Sequence, residues 1–159
     1  AQAYAALGNG GRIYPVSLVA LDQAGPPTQA ISPDTAAAVK RMLEEVVGPG
    51  GTGSKAALTG YRVAGKTGTA WKSGVGGYSQ DEYFSIFAGL APASDPHLAT
   101  VVVIDEPSGE LYYGSDVAAP VFADVMAESL RLLAVPPDDL PDRSKGTVVQ
   151  AMAPQAARQ

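Results

Sequence analysis

Apolar residues recur at helical spacing in three stretches of the chain and at alternating or near-continuous positions in four others. Residues 1–7 read as a helix, stopped by Gly8-Asn9-Gly10-Gly11, with glycine just past the helical C-terminus. No capping residue precedes it, so the pattern is that of a chain entered within an element. Residues 12–21 alternate loosely through Ile13, Val16, Leu18, Val19 and Leu21. They predict an extended segment that Pro15 keeps at an edge or a start. The loop at 23–30 contains Gly25-Pro26-Pro27. A helix over 33–47 follows. Ser32 is its N-cap, Pro33 fits its first position, and Asp34 suits the positive end of its dipole. Ala36, Val39, Leu43 and Val46 form its apolar stripe, and Gly48-Pro49 ends it.

Gly50-Gly51-Thr52-Gly53 reads as a flexible turn, and 54–58 as one short helical turn. Residues 61–72 predict a strand, 73–80 a glycine-rich connection, and 82–91 a second strand. On that second strand Phe84, Ile86, Ala88 and Leu90 face one way, and Tyr83, Ser85, Phe87 and Gly89 the other. The β-branched run 98–105 predicts a buried central strand. Three strands with short connections predict an antiparallel meander. After the loop 106–116 a last helix is expected, with Pro120 near its start. Its stripe is Ala118, Val121, Phe122, Val125, Met126, Ser129, Leu132 and Leu133, and Pro136-Pro137 ends it. From Asp138 onward periodicity is lost, which predicts a disordered tail.

Composition narrows the classes. A chain of 159 residues has room for one domain or a large piece of one, and can bury about two-thirds of its unfolded surface. With 46% apolar and 17% charged residues it is not a disordered sequence. The balance of 16 Asp+Glu against 11 Lys+Arg argues against nucleic acid as a partner. The absence of cysteine removes disulfides, zinc–thiolate sites, iron–sulfur clusters and cysteine nucleophiles together. Apolar runs such as 98–104 fall far short of the ~20 residues that span a bilayer.

One candidate motif is a decoy. Residues 60–67, Gly-Tyr-Arg-Val-Ala-Gly-Lys-Thr, match the phosphate-loop pattern letter by letter. A phosphate loop needs a hydrophobic strand before it and a helix opening at its Lys-Thr. Here a Gly- and Ser-rich segment precedes the match. Gly68-Thr69-Ala70-Trp71-Lys72-Ser73-Gly74 follows it and cannot hold a helix. The same residues read better as Lys66-Thr67-Gly68-Thr69 on a strand at a sheet edge. This is the K-T-G signature of serine acyl-transfer enzymes acting on D-Ala-D-Ala peptides and β-lactams. Lys66 would draw an anionic substrate terminus. Thr67 and Thr69, two residues apart, face one side and could both donate hydroxyls to a carboxylate. Gly68 would let substrate lie close to the strand, and an edge N–H could stabilise an oxyanion. The alternative for the tetrapeptide alone is an exposed strand with a surface lysine.

Further segments decide between these. They are Ala3-Tyr4-Ala5-Ala6-Leu7-Gly8-Asn9-Gly10-Gly11, Ile31-Ser32-Pro33, Gly51-Thr52-Gly53, and 61–70 as a block. Beyond them come Phe87-Ala88-Gly89-Leu90-Ala91-Pro92, Val102-Val103-Ile104-Asp105-Glu106-Pro107, Tyr112-Tyr113-Gly114 and Ala118-Ala119-Pro120-Val121-Phe122. In order and spacing, residues 1–138 resemble the C-terminal half of the transpeptidase domain of class B penicillin-binding proteins. The septal peptidoglycan D,D-transpeptidases of Gram-negative cell division are the most similar group. The resemblance implies the α/β (α+β) fold of the serine β-lactamase and penicillin-binding type: an antiparallel sheet packed against helices, here incomplete. It implies no cofactor and no metal.

By the same resemblance Lys66, Thr67 and Gly68 occupy the third active-site motif. Thr67 and Thr69 would bind the carboxylate of a terminal D-Ala or of a β-lactam, and the N–H of Thr69 would be one oxyanion donor. Tyr83, Tyr112 and Tyr113 align with an aromatic wall that contacts β-lactam side chains; their alternative role is packing between sheet and final helix. Implied partners are peptidoglycan stem peptides, β-lactam antibiotics, the upstream half of the same domain and division-machinery proteins. The implied location is the periplasmic face of the inner membrane, with the anchor outside this chain. Trp71 departs from the polar or basic residues common there in relatives, and the 73–80 loop is compact; both bear on the rim of the cleft.

The family also uses a Ser-x-x-Lys nucleophile motif and a Ser-x-Asn motif. No serine of these 159 residues has lysine three positions later, and the sole asparagine, Asn9, has Leu7 two positions before it. The expectation is therefore a transpeptidase piece, 1–138, followed by a tail, 139–159, with the nucleophile upstream and no activity from this chain alone. Two other readings stand beside it: a non-catalytic module that binds carboxylate-terminated peptides, and a β-lactam-hydrolysing relative. His97 reads as a surface turn residue, Asp105-Glu106 as a polar strand terminus, and Asp81-Glu82 as a solvated strand entry.

Overall fold

A computed structural model describes residues 1–74 and 76–140. The chain runs α1 (Gln2–Gly8), β1 (Arg12–Ile13), β2 (Thr28–Gln29), α2 (Pro33–Val47), a 3₁₀ turn at Ser54–Ala56, β3 (Ala64–Gly74), β4 (Gly77–Ala91), β5 (Leu98–Asp105) and α3 (Gly114–Leu132). β1 and β2 pair as a small antiparallel ribbon. β3, β4 and β5 form the antiparallel meander read from the sequence, with β4 in the centre.

The sheet has helices on both faces. Thr67, Thr69 and Trp71 on β3 lie opposite Phe87, Ser85 and Tyr83 on β4, so these six share one face. That face meets α3. Phe87 and Phe122 are fully buried, with ring centroids 4.7 Å apart and planes tilted by 55°. Gly65 and Gly89, paired across the two strands, make this contact possible. A Cβ at Gly65 would stand 2.5 Å from Phe87 Cζ, and one at Gly89 2.8 Å from Phe122 Cζ. On the other face Ala64, Leu90 and Ala93 form a second cluster with Leu7 of α1 and Leu43 of α2.

α2 has the predicted bounds. Ser32 Oγ accepts from the Thr35 N–H at 3.1 Å, as an N-cap should. Other elements differ from expectation. The extended segment at 12–21 is a strand only over Arg12–Ile13. The predicted connection at 73–80 is mostly strand. β3 and β4 continue to Gly74 and Gly77, joined where Gly76 and Gly77 hold φ of 104° and 129°. β3 begins at Ala64, three residues later than expected, and its register shifts between Trp71 and Ser73.

β5 is not a buried central strand. Among the described residues it pairs on one side alone, and Val103 is 53% exposed. On α3 the buried row is Ala118, Ala119, Phe122, Met126 and Leu130, while Val121, Val125, Leu132 and Leu133 of the predicted stripe are exposed.

The expected tail starts later than Asp138. Asp138 Oδ1 accepts from the Arg62 N–H at 2.8 Å. Its Oδ2 accepts from the Ser94 N–H at 3.1 Å and from Ser94 Oγ at 2.7 Å. Tyr61 Oη donates to the Val135 carbonyl at 2.7 Å, and Asp139 N–H to the Gly60 carbonyl at 3.0 Å. Residues 133–140 thus strap back over the entry to β3. Residues 141–159 of the predicted tail lie outside the described residues.

Candidate functional site

Lys66-Thr67-Gly68-Thr69 sits within β3, on the edge that no described strand covers. Lys66-Thr67 does not open a helix, so the phosphate-loop reading fails on geometry. Lys66 is exposed, and its Nζ donates to the Thr67 carbonyl and to Thr67 Oγ1, both at 3.2 Å. Among the described residues no carboxylate pairs with it, whereas Lys55, Arg62 and Arg131 each have one and Lys72 has two. An ammonium so placed is available to an anionic ligand.

Thr67 and Thr69 follow at the two-residue period, about 6.7 Å apart along the strand. Thr67 Oγ1 lies 3.4 Å from Thr52 Oγ1, a long contact. Thr52 is held there by a tight turn. A Cβ on Gly51 would stand 2.1 Å from the Val46 carbonyl, and the Gly53 N–H donates to that same oxygen at 2.8 Å. An ion pair of 2.7 Å between Lys55 and Asp116 ties the neighbouring 3₁₀ turn to the first turn of α3.

Thr69 Oγ1 accepts from the Gly114 N–H at 3.1 Å. A hydroxyl that accepts there keeps its own proton to give to an acceptor outside the strand. Gly114 begins α3, and only glycine fits: a Cβ would stand 2.3 Å from the Ile86 carbonyl and 2.5 Å from that of Gly68. The backbone of Tyr112-Tyr113-Gly114 therefore lies directly against Gly68 and Thr69.

The three predicted tyrosines come together in this place. Tyr83 and Tyr112 stack with centroids 4.3 Å apart at 18°. Tyr112 and Tyr113 follow at 4.4 Å and 30°. Tyr112 Oη donates to Tyr113 Oη at 3.1 Å, and this bond is the largest reason that the Tyr112 phenol titrates above its ordinary value. Thr69, Ala70, Trp71, Tyr83, Tyr112 and Tyr113 line an open cleft of about 400 Å³. Tyr113 is 53% exposed, whereas Tyr83 and Tyr112 are half-buried, so these two rings also pack between the sheet and the start of α3.

Two residues of this site were not singled out from the sequence. Ser85 is buried and donates its hydroxyl to the Tyr112 carbonyl. Its one signal was a polar residue in the inward row Tyr83, Ser85, Phe87, Gly89. Gly114 belongs to the Tyr112-Tyr113-Gly114 segment of the resemblance, but no role for it is legible there. His97 is exposed, 3.6 Å from Asp95. Asp105 and Glu106 are paired with Lys72 at the far end of the sheet, where the ammonium also covers Phe84. No group of three metal-ligating side chains occurs among the described residues, and no helix there is long and apolar enough to cross a membrane.

Known proteins have sequences similar to that of this chain. The probable peptidoglycan D,D-transpeptidase PbpC of Pseudomonas aeruginosa is 45% identical over 142 residues, which are 89% of this chain and 25% of that protein. The peptidoglycan D,D-transpeptidase FtsI of Escherichia coli K12 is 42% identical over 149 residues, 94% of this chain and again 25% of that protein. The chain thus spans about a quarter of the length of the curated relatives it matches. Among solved structures, the apo transpeptidase domain of Burkholderia pseudomallei penicillin-binding protein 3 superposes with a TM-score of 0.77 at 41% identity, over 87% of this chain and 43% of that one. The family model of the penicillin-binding protein transpeptidase domain matches residues 1–127. The fold, the identity and the length of that match agree: the chain belongs to the penicillin-binding protein transpeptidase family.

Proposed function

We propose that this chain forms the carboxylate-binding wall of a peptidoglycan D,D-transpeptidase site, completed by a serine from another segment of the same protein. The observation that carries the reading is the row Lys66, Thr67, Thr69 on an uncovered strand edge, beside an open aromatic cleft. In the reaction, the serine oxygen attacks the carbonyl of the penultimate D-Ala of a stem peptide. The terminal D-Ala leaves with its nitrogen protonated, and an acyl-enzyme ester remains. An amine of a second stem peptide then attacks the ester and regenerates the serine hydroxyl. The Thr67 and Thr69 hydroxyls and the Lys66 ammonium hold the terminal carboxylate through the first step. The Thr69 N–H is the oxyanion donor this strand supplies. A β-lactam presents a carboxylate and a strained acyl group at a similar separation, so it acylates the same serine.

The same reading places the whole protein at the periplasmic face of the inner membrane, with division-machinery proteins as partners and the family's Ser-x-x-Lys and Ser-x-Asn motifs upstream of these residues. Residues 1–138 belong to the transpeptidase domain in this reading, and 139–159 largely to a tail.

Fluorescent penicillin tests it on a denaturing gel. The full-length protein becomes covalently labelled, and Lys66→Ala slows labelling by about a hundredfold or more, the scale of losing one preorganised electrostatic contact. Normal labelling of Lys66→Ala would refute the role given to Lys66. Label on the 159-residue chain by itself would put the nucleophile within it and sink the reading.

A further inference from the structure

β4 turns three successive side chains toward α3, and each holds a different part of what lies above. Tyr83 stacks on the Tyr112 ring, Ser85 donates to the Tyr112 carbonyl, and Phe87 packs on Phe122. Ser85 is the odd member. It is fully buried in a row that is otherwise aromatic. Burying a hydroxyl in such a place is unfavourable unless it finds a partner. An alanine would fill the position with no polar atom to satisfy. What the hydroxyl adds is a fixed point on the backbone of residue 112.

Directly across β3 from Ser85 stands Thr69, its register partner. Thr69 Oγ1 holds the other end of the same short segment by accepting from the Gly114 N–H. Two hydroxyls on adjacent strands therefore pin Tyr112-Tyr113-Gly114 at its first carbonyl and its last amide. Tyr113 lies between those points and Tyr112 directly before the first, and both rings line the cleft.

We propose that Ser85 is a positioning residue: through the Tyr112 carbonyl it sets the Tyr112 and Tyr113 rings at a fixed height above Thr69. The inference rests on the transpeptidase reading and deepens it. A ligand whose carboxylate sits on Thr67 and Thr69 meets the rings only if they stand where Ser85 holds them. Ser85 therefore governs how well the site takes a ligand that reaches into the aromatic cleft. It has little influence on one that ends at the carboxylate and the reacting carbonyl.

The test uses the full-length protein and two β-lactams, benzylpenicillin with its aryl side chain and 6-aminopenicillanic acid with none. Second-order acylation rates are read by competition with fluorescent penicillin. Ser85→Ala is expected to slow benzylpenicillin about 3- to 10-fold, the range of one hydrogen bond's net effect, and 6-aminopenicillanic acid less than twofold. The unchanged second rate also shows that the variant is folded. Removing both rings in Tyr112→Ala/Tyr113→Ala should produce a selective loss of the same kind, and adding Ser85→Ala to that pair should make it no worse, because Ser85 acts through those rings. Equal losses of Ser85→Ala for the two β-lactams, or a further loss when Ser85→Ala is added to the pair, would overturn the proposal. If the unmodified protein is acylated by neither compound, it is the transpeptidase reading that falls, a result distinct from either.

Discussion

Trp71 stands opposite Tyr83 across β3 and β4, one period beyond Thr69 on the same face. A large indole left 58% exposed at the rim of an open cleft contributes little to the core. Its surface is available to a ligand, and a ring–ring contact is worth about 0.5–1.5 kcal/mol beyond area burial. Trp71→Ala should therefore leave the melting temperature within about 2 °C while weakening acylation by aryl-substituted β-lactams about 3- to 10-fold; a large loss of stability would mean that the indole packs rather than binds. Gly114 makes the opposite case. Its Cβ has no room between the Ile86 and Gly68 carbonyls, and backbone cannot rotate out of the way. Gly114→Ala should cost about 1–3 kcal/mol and displace the α3 terminus from Thr69. Thermal unfolding together with penicillin labelling would register both effects. Of these residues the sequence made Lys66, Thr67 and Thr69 legible, because their types and spacing carry the chemistry. It left the role of Ser85 silent and gave no reason for the glycine at 114, because what they do depends on partners 27 and 45 positions away.

At the scale of elements, local signals were read correctly where the chain itself enforces them. α2 has its cap, its first-turn proline and its terminal glycine, and it begins and ends where they stand. The β3–β4 junction was misread because glycines that look like a loop also permit positive φ in a tight hairpin. The end of the strap, 138–140, reads as the start of a tail because hydrophobic periodicity is blind to a carboxylate that collects backbone donors from two distant turns. Asp138 accepts three hydrogen bonds, from Arg62 and Ser94. Burial alone would raise its pKa. The bonds from Ser94 and Arg62 outweigh burial and hold the carboxyl below its ordinary value. A depressed carboxyl stabilises the fold fully above its unfolded pKa of about 4, and that stability is lost as pH falls through the lower folded value. Asp138→Asn should cost about 1 kcal/mol at pH 7, since bonds to an ionised carboxylate are worth about 1.5–3 and this one is partly exposed. In thermal unfolding the gap between variant and parent should narrow as pH falls below about 4; a gap independent of pH would remove the charge from the explanation.

For the molecule as a whole, the question is what the two sheet faces require. One face is covered by α3, and the other only at its Ala64–Leu90 end by α1 and α2. Ile86, Ala88, Val101 and Val103 continue that second face past the helices, half-buried or exposed, and among the described residues the outer edge of β5 is unpaired. A β-branched edge strand with an apolar face is a template for association. This β-branched composition is why 98–105 reads as central, although among the described residues it pairs on one side alone; the chain covers 43% of a solved transpeptidase domain. The consequence is a reversal of sign. In the 159-residue chain by itself, Val103→Lys should improve solubility and reduce binding of a hydrophobic dye, because it places charge on an exposed apolar edge. In the full-length protein the same change is expected to lower stability by about 1–3 kcal/mol, as an unpaired ammonium does when the rest of a sheet covers such a face. Dye binding of the short chain and thermal unfolding of the long one measure the two halves. A substitution that is neutral or stabilising in both would mean that nothing covers this face.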